Sequence, residues 1–205
     1  MFVDTVYKLL KMKKILFLIA LICMSTTAIA QKKQVKERDG KRSEDKKFPT
    51  EVAFPKEYVG TYAGNLNISD VTGVLQNVPM EIIIQPTEDP KKFSYTLVYI
   101  VSNKKQEQKY TLIVVDPEKG LYDLDENNGV VLRANYMRQT LFSTFELNNR
   151  ILNSRVEFNN DGRIFFSITV TEKTDARNTG NDKLKVVSYN TTVIQKATLR
   201  KVDRD

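Results

Sequence analysis

Between Tyr58 and Arg200 the sequence repeats one pattern: short runs rich in β-branched and aromatic residues, alternating apolar with polar, each ended by turn-forming residues. No stretch carries an apolar stripe of helical period with caps at its ends, so helices are largely excluded and strands are required. Ten runs qualify: Tyr58 to Ile68, Val78 to Gln85, Phe93 to Val101, Lys109 to Val115, Leu121 to Leu124, Val130 to Met137, Thr140 to Leu147, Ile151 to Phe158, Arg163 to Thr171 and Lys185 to Arg200. Residues 174 to 184, TDARNTGNDKL, read as a polar rim loop.

The connections are short. Asn148-Asn149 and Asp161-Gly162 stand between alternating runs and tolerate the positive φ angles of hairpin turns. Pro117 and Gly120 in VDPEKGLY suit a further turn. Sequential hairpins pair each strand with its neighbour in sequence, and a long meander removes its exposed edges by closing on itself. The expected fold is therefore all-β: an antiparallel up-and-down barrel of about ten strands.

Alternation assigns faces. Tyr58, Gly60, Tyr62, Gly64, Leu66 and Ile68 share one side of the first strand, and Leu152, Val156 and Phe158 oppose Asn153, Arg155 and Glu157. Phe93 to Val101 and Tyr110 to Val115 are apolar on both faces, which predicts a helix, a loop or a partner over their outer side.

The N-terminal part has a different character. Met12 to Gln31 carries Lys13 and Lys14, then an apolar run of 10 residues from Ile15 to Met24, then Ala28-Ile29-Ala30. This is the pattern of a cleaved signal peptide, and the run is too short for the ~20 residues of a spanning helix. We expect a signal over residues 1–30 with its start at Met12 and residues 1–11 misassigned. Residues 31–50 form a disordered basic linker, and residues 51–205 the barrel. Export to a periplasm, cell surface or extracellular space follows. Cys23 departs with the signal, which leaves a mature chain without disulfides.

The formal net charge of +7 belongs to the first 50 residues, because residues 51–205 hold 20 basic and 20 acidic side chains. A neutral body argues against nucleic acid as a partner. The absence of histidine removes the usual general base and zinc ligand. No cofactor is expected.

The acidic stretch YDLDENNGVVL concentrates oxygen ligands. Asp123, Asp125 and Asn127 alternate like the opening of a calcium loop, but Asn128 stands where that loop needs glycine and Ala134 where it needs glutamate. Strand-like flanks favour a hairpin with Asn128-Gly129 at its turn, and no metal is expected. Asp125 and Glu126 fall on opposite faces of a strand, which disfavours paired-carboxylate hydrolysis.

One resemblance emerges from EYVGTYAGNL. Gly60-Thr61-Tyr62 is similar to the Gly-x-Trp of the first strand in lipocalin-like barrels, and Arg200 near the end of the last strand stands where that family places an arginine across the aromatic. The resemblance implies a closed barrel with a ligand cavity, with Gly60, Tyr62 and Arg200 as barrel-closing residues. The strand number is nearer that of fatty-acid-binding proteins, although the Arg-x-Tyr pair those proteins use for a carboxylate is missing from the last strand.

Aromatic residues along the strands supply candidate ligand contacts: Tyr95, Tyr99, Tyr136 and Tyr189, with Arg133 and Arg155 as polar partners. The expected function is an exported, monomeric, non-catalytic protein that holds a small hydrophobic or amphipathic ligand. The alternative is a cell-envelope module with a solid barrel that docks a protein or a glycan.

Overall fold

A computed structural model describes residues 54–203, which belong to one compact unit spanning Ala53–Asp205. The expected signal and linker, 1–30 and 31–50, lie outside the described residues. A 3₁₀ turn at Lys56–Tyr58 precedes ten strands: β1 Gly60–Asp70, β2 Gly73–Pro86, β3 Lys92–Val101, β4 Lys104–Asp116, β5 Leu121–Asp125, β6 Val131–Met137, β7 Thr140–Leu147, β8 Arg150–Phe158, β9 Arg163–Gly180 and β10 Lys185–Val202. Each strand pairs antiparallel with the next, and β10 returns to β1, so the sheet closes into a barrel. The chain has a lipocalin-like fold. No helix among the described residues is long and apolar enough to cross a membrane.

The alternation read from the sequence is the inside-outside division of this wall. Leu66, Ile82, Leu112, Leu152, Ile164, Val170 and Leu199 are fully buried at inward positions. On the outer face of β3, Thr96 and Val98 are buried too, as the doubly apolar run predicts, whereas on β4 Ile113 is only partly buried and Val115 is exposed. Burial of each large apolar side chain stabilises by roughly 1.5–3 kcal/mol, and the described residues, which hold no cysteine, rely on it without disulfides.

Turn chemistry sets the register. Asn148 and Asn149 take φ of 47° and 62° and make the tight β7–β8 turn. Arg138 and Gln139 take the same left-handed pair, φ 47° and 62°, without an asparagine or glycine. The predicted polar loop at 174–184 is instead strand as far as Gly180. Beyond Glu172, β9 pairs only with β10, and the two form a two-stranded arm past the barrel wall. Its residues from Thr174 onward are almost all exposed, so neither face carries the alternation that reveals a strand.

The β1–β10 seam requires glycine for close approach. A Cβ on Gly64 would stand 2.3 Å from the Thr198 carbonyl oxygen. Gly60 and Tyr62 both lie in this seam, and Tyr62 is buried with its hydroxyl donating to the Tyr58 carbonyl at 3.2 Å. Arg200 corrects the expectation drawn from the resemblance. It pairs with Ala63, one residue out of phase with Tyr62, and so faces outward and exposed; Lys201 stands opposite Tyr62.

Candidate functional site

The two ends of the barrel are built differently. At the end where β1 begins, Phe54 enters ahead of the 3₁₀ turn and fills the opening. Its ring stacks on Tyr136 at 3.9 Å and 10°, meets Tyr122 edge-on at 5.2 Å and lies 5.1 Å from Phe158, while Tyr58 sits 4.7 Å from Phe158. The Tyr122 hydroxyl donates to the Phe54 carbonyl at 3.4 Å. Tyr136, expected as a ligand contact, is thus committed to this plug. Burial first, and then neighbouring Tyr58, push its hydroxyl well above the ordinary tyrosine range.

Toward the other end the inward positions become polar and less covered. Gln76, Gln106, Gln108, Leu124, Leu132, Phe145 and Leu147 are only partly buried. Arg150 and Glu172 face each other across β8 and β9 with an Nε–Oε1 distance of 2.6 Å and side chains 22% and 25% exposed. This is the mouth of the barrel.

Between plug and mouth, β3 and β4 place Tyr95, Tyr99 and Tyr110 on the inner face. Tyr95 and Tyr110 are opposite in register, with ring centroids 6.3 Å apart in an edge-on arrangement, and the Tyr110 hydroxyl donates to Gln108 Oε1 at 3.2 Å. Tyr99 is buried between Met80 and Gln106, and its hydroxyl has no hydrogen-bond partner among the described residues. Desolvation raises all three hydroxyls above the usual pKa of 10. Tyr110 adds to the effect at Tyr95 and Tyr99, and Glu126 adds to it at Tyr110. All three are therefore neutral donors through the physiological range. Gln195 is a further buried polar residue on the inner face, 2% exposed.

The structure separates the residues that the sequence grouped. Tyr95 and Tyr99 face the interior. Arg133 and Arg155 do not: Arg133 stands on the outer face of β6, 72% exposed and 3.7 Å from Asp123, and Arg155 stands on the outer face of β8 paired with Glu157. Leu132 and Ala134 take the inward positions beside Arg133, and Ser154 and Val156 those beside Arg155, because neighbours in a strand alternate. Tyr189 lies on the arm at a register shift and is 36% exposed. Sequence reasoning missed Gln195 as an inner-face polar group, and Phe54 as the plug.

Asp123, Asp125 and Asn127 do not converge on an ion. Asp125 Oδ1 accepts from the Asn127 amide at 2.8 Å, and Asn127 itself accepts from Thr111 and donates to the Lys109 carbonyl. The stretch is the β5–β6 turn, with left-handed φ at Asn127 (56°) and Gly129 (96°) rather than at the expected Asn128-Gly129 pair. Asn128 instead caps the turn, its Oδ1 accepting from the Val130 amide at 2.9 Å.

No protein-family description matches the chain, and no curated protein matches it. Among solved structures, an S-type phycobiliprotein lyase from Guillardia theta is similar in fold, with a TM-score of 0.52 at 9% identity over 73% of this chain and 91% of that one. This match corrects one expectation. The solved barrel is named a lyase, so the inference from barrel architecture to a non-catalytic protein does not stand.

Proposed function

We propose that the barrel binds a small, mostly apolar molecule through the mouth at Arg150 and Glu172, with an uncharged hydrogen-bond acceptor of that molecule received by Tyr99. The observation that carries this is the buried Tyr99 hydroxyl without a partner. Leaving such a group unsatisfied costs about 1–3 kcal/mol, a cost that a bound acceptor such as a carbonyl or ether oxygen removes. Tyr95 and Tyr110 stand beside it among apolar inner-face side chains, the usual composition of a small-molecule site. Tyr99 has Met80 and Gln106 as register neighbours and no cation among them, and Arg150 is already paired with Glu172, which together favour a neutral polar group over a carboxylate. Likeness to a lyase barrel is compatible with a bound small molecule.

The same proposal places the protein outside the cytoplasm, supported by the signal pattern of Met12 to Gln31. Native mass spectrometry of the protein purified from its own host tests the ligand. A stoichiometric adduct that disappears on denaturation, and is depleted in Tyr99→Phe, is expected; repeated absence after incubation with host extract overturns the reading. N-terminal sequencing of the fractionated protein tests the address: a mature start at Gln31 outside the cytoplasm is expected, and an uncleaved cytosolic chain rejects export.

A further inference from the structure

On the outside of the wall made by β1, β10, β9 and β8 lies a groove of ≈ 350 Å³, lined in part by Asn67, Arg155, Glu157, Phe165, Ser167 and Lys196. Strand register explains the hollow. Asn67, Lys196, Ser167 and Arg155 stand opposite one another in a single row across the four strands. The adjacent row is Asn65, Thr198, Phe165 and Glu157. A short serine between two long cations leaves a depression, and strands ~4.8 Å apart set the backbones of Lys196 and Arg155 about 10 Å from each other. That span admits one small anion between two flexible, positively charged ends. Phe165 forms the side of the hollow, and the Arg163 guanidinium, 5.5 Å from its ring centroid, helps to hold the ring.

The polar groups of the groove are mostly donors. Lys196 is exposed and has no carboxylate partner among the described residues. Asn67 accepts from Asn77 through its Oδ1 at 2.6 Å, which leaves its amide N–H groups as the free end. Ser167 and Thr198 add hydroxyls. Glu157 is the one carboxylate of the lining, and it is engaged by Arg155, whose guanidinium retains further N–H donors. Such a surface is matched by an acceptor with several lone pairs and a negative charge. The face of Phe165 is matched by a flat apolar body.

We propose that this groove binds a small organic carboxylate, with its acid group among Lys196, Ser167 and Arg155 and its ring or chain on Phe165. The site is separate from the barrel interior, since every side chain of the two rows points away from it. Exposure of the cations makes millimolar affinity the expected range.

Amide chemical-shift titration of the full chain at constant ionic strength tests it with three probes: benzoate, its neutral isostere benzamide, and acetate. Benzoate is expected to move the amides of Phe165, Ser167, Lys196 and Thr198 saturably, with benzamide and acetate binding roughly tenfold more weakly or less. Lys196→Gln is expected to weaken benzoate about tenfold while leaving the urea midpoint unchanged, which separates lost binding from lost folding. Unsaturable or scattered shifts with benzoate overturn the site. Equal binding of benzamide overturns the requirement for an anion, equal binding of acetate overturns the role of Phe165, and full benzoate affinity in Lys196→Gln overturns the assignment of the acid group.

Discussion

The two ends of the barrel solve one problem in opposite ways. At the plugged end Phe54, Tyr58, Tyr122, Tyr136 and Phe158 interlock, and the hydroxyls of Tyr122 and Tyr62 are satisfied by the carbonyls of Phe54 and Tyr58. At the mouth, inward positions hold glutamines, half-covered leucines and an ion pair, and behind them sits a hydroxyl that no described residue satisfies. The difference teaches where stability and function divide. Aromatic packing that completes itself needs no ligand, whereas a buried donor left open invites one.

The contrast can be broken most forcefully at Phe54. Phe54→Ala should cost about 3–5 kcal/mol in urea denaturation because it empties the centre of the plug, while Leu147→Ala at the half-covered mouth should cost about 1 kcal/mol. Equal costs would erase the division.

Alkaline pH gives the next largest effect. The folded-state pKa values of Tyr95, Tyr99 and Tyr110 are raised above the unfolded value of about 10, so their contribution is complete below pH ~10 and is lost as pH climbs from there toward the raised values. Each should lower stability by about 1.4 kcal/mol per pH unit over that window. Absorbance of tyrosinate should rise together with unfolding for these residues, and their ionisation in the folded protein near pH 10 would contradict their burial.

A smaller change, of opposite sign, is expected for Tyr99→Phe. Removing an unpartnered buried hydroxyl should raise the stability of ligand-free protein by about 1 kcal/mol, while lowering the occupancy of any co-purified small molecule. Destabilisation by this substitution would mean the hydroxyl has a partner after all. The smallest effect belongs to the rim: a double-mutant cycle on Arg150 and Glu172 should return a coupling of about 0.5–1 kcal/mol, as befits a partly exposed pair.

Much of the fold was legible from sequence because alternation and turn chemistry are local. Ten strands and the Asn148-Asn149 turn follow from spacing alone. The outward position of Arg133 was also available by parity, since Leu132, Ala134 and Tyr136 alternate against it, but a charged residue among aromatics invites a functional assignment that its face does not support. Three features were not legible. The β9 side of the arm beyond Glu172 is polar on both faces and has no period to read. Phe54 precedes the first strand and acquires meaning only when the closed wall presents an opening of matching size. The loneliness of the Tyr99 hydroxyl depends on what surrounds it in three dimensions, and no neighbour in sequence reports that.

The seam between β1 and β10 has a consequence in time. Thr61 finds Val202, and Ser69 finds Ile194, only after the whole intervening meander exists. Local hairpins can form early, but the pairing that ends the first strand's exposure waits for β10, so folding should be slow and its final step all-or-none. Until then the unpaired edge of β1 is a surface for wrong partners. A chain of this design gains from keeping β1 from other partners until β10 is there to pair with it.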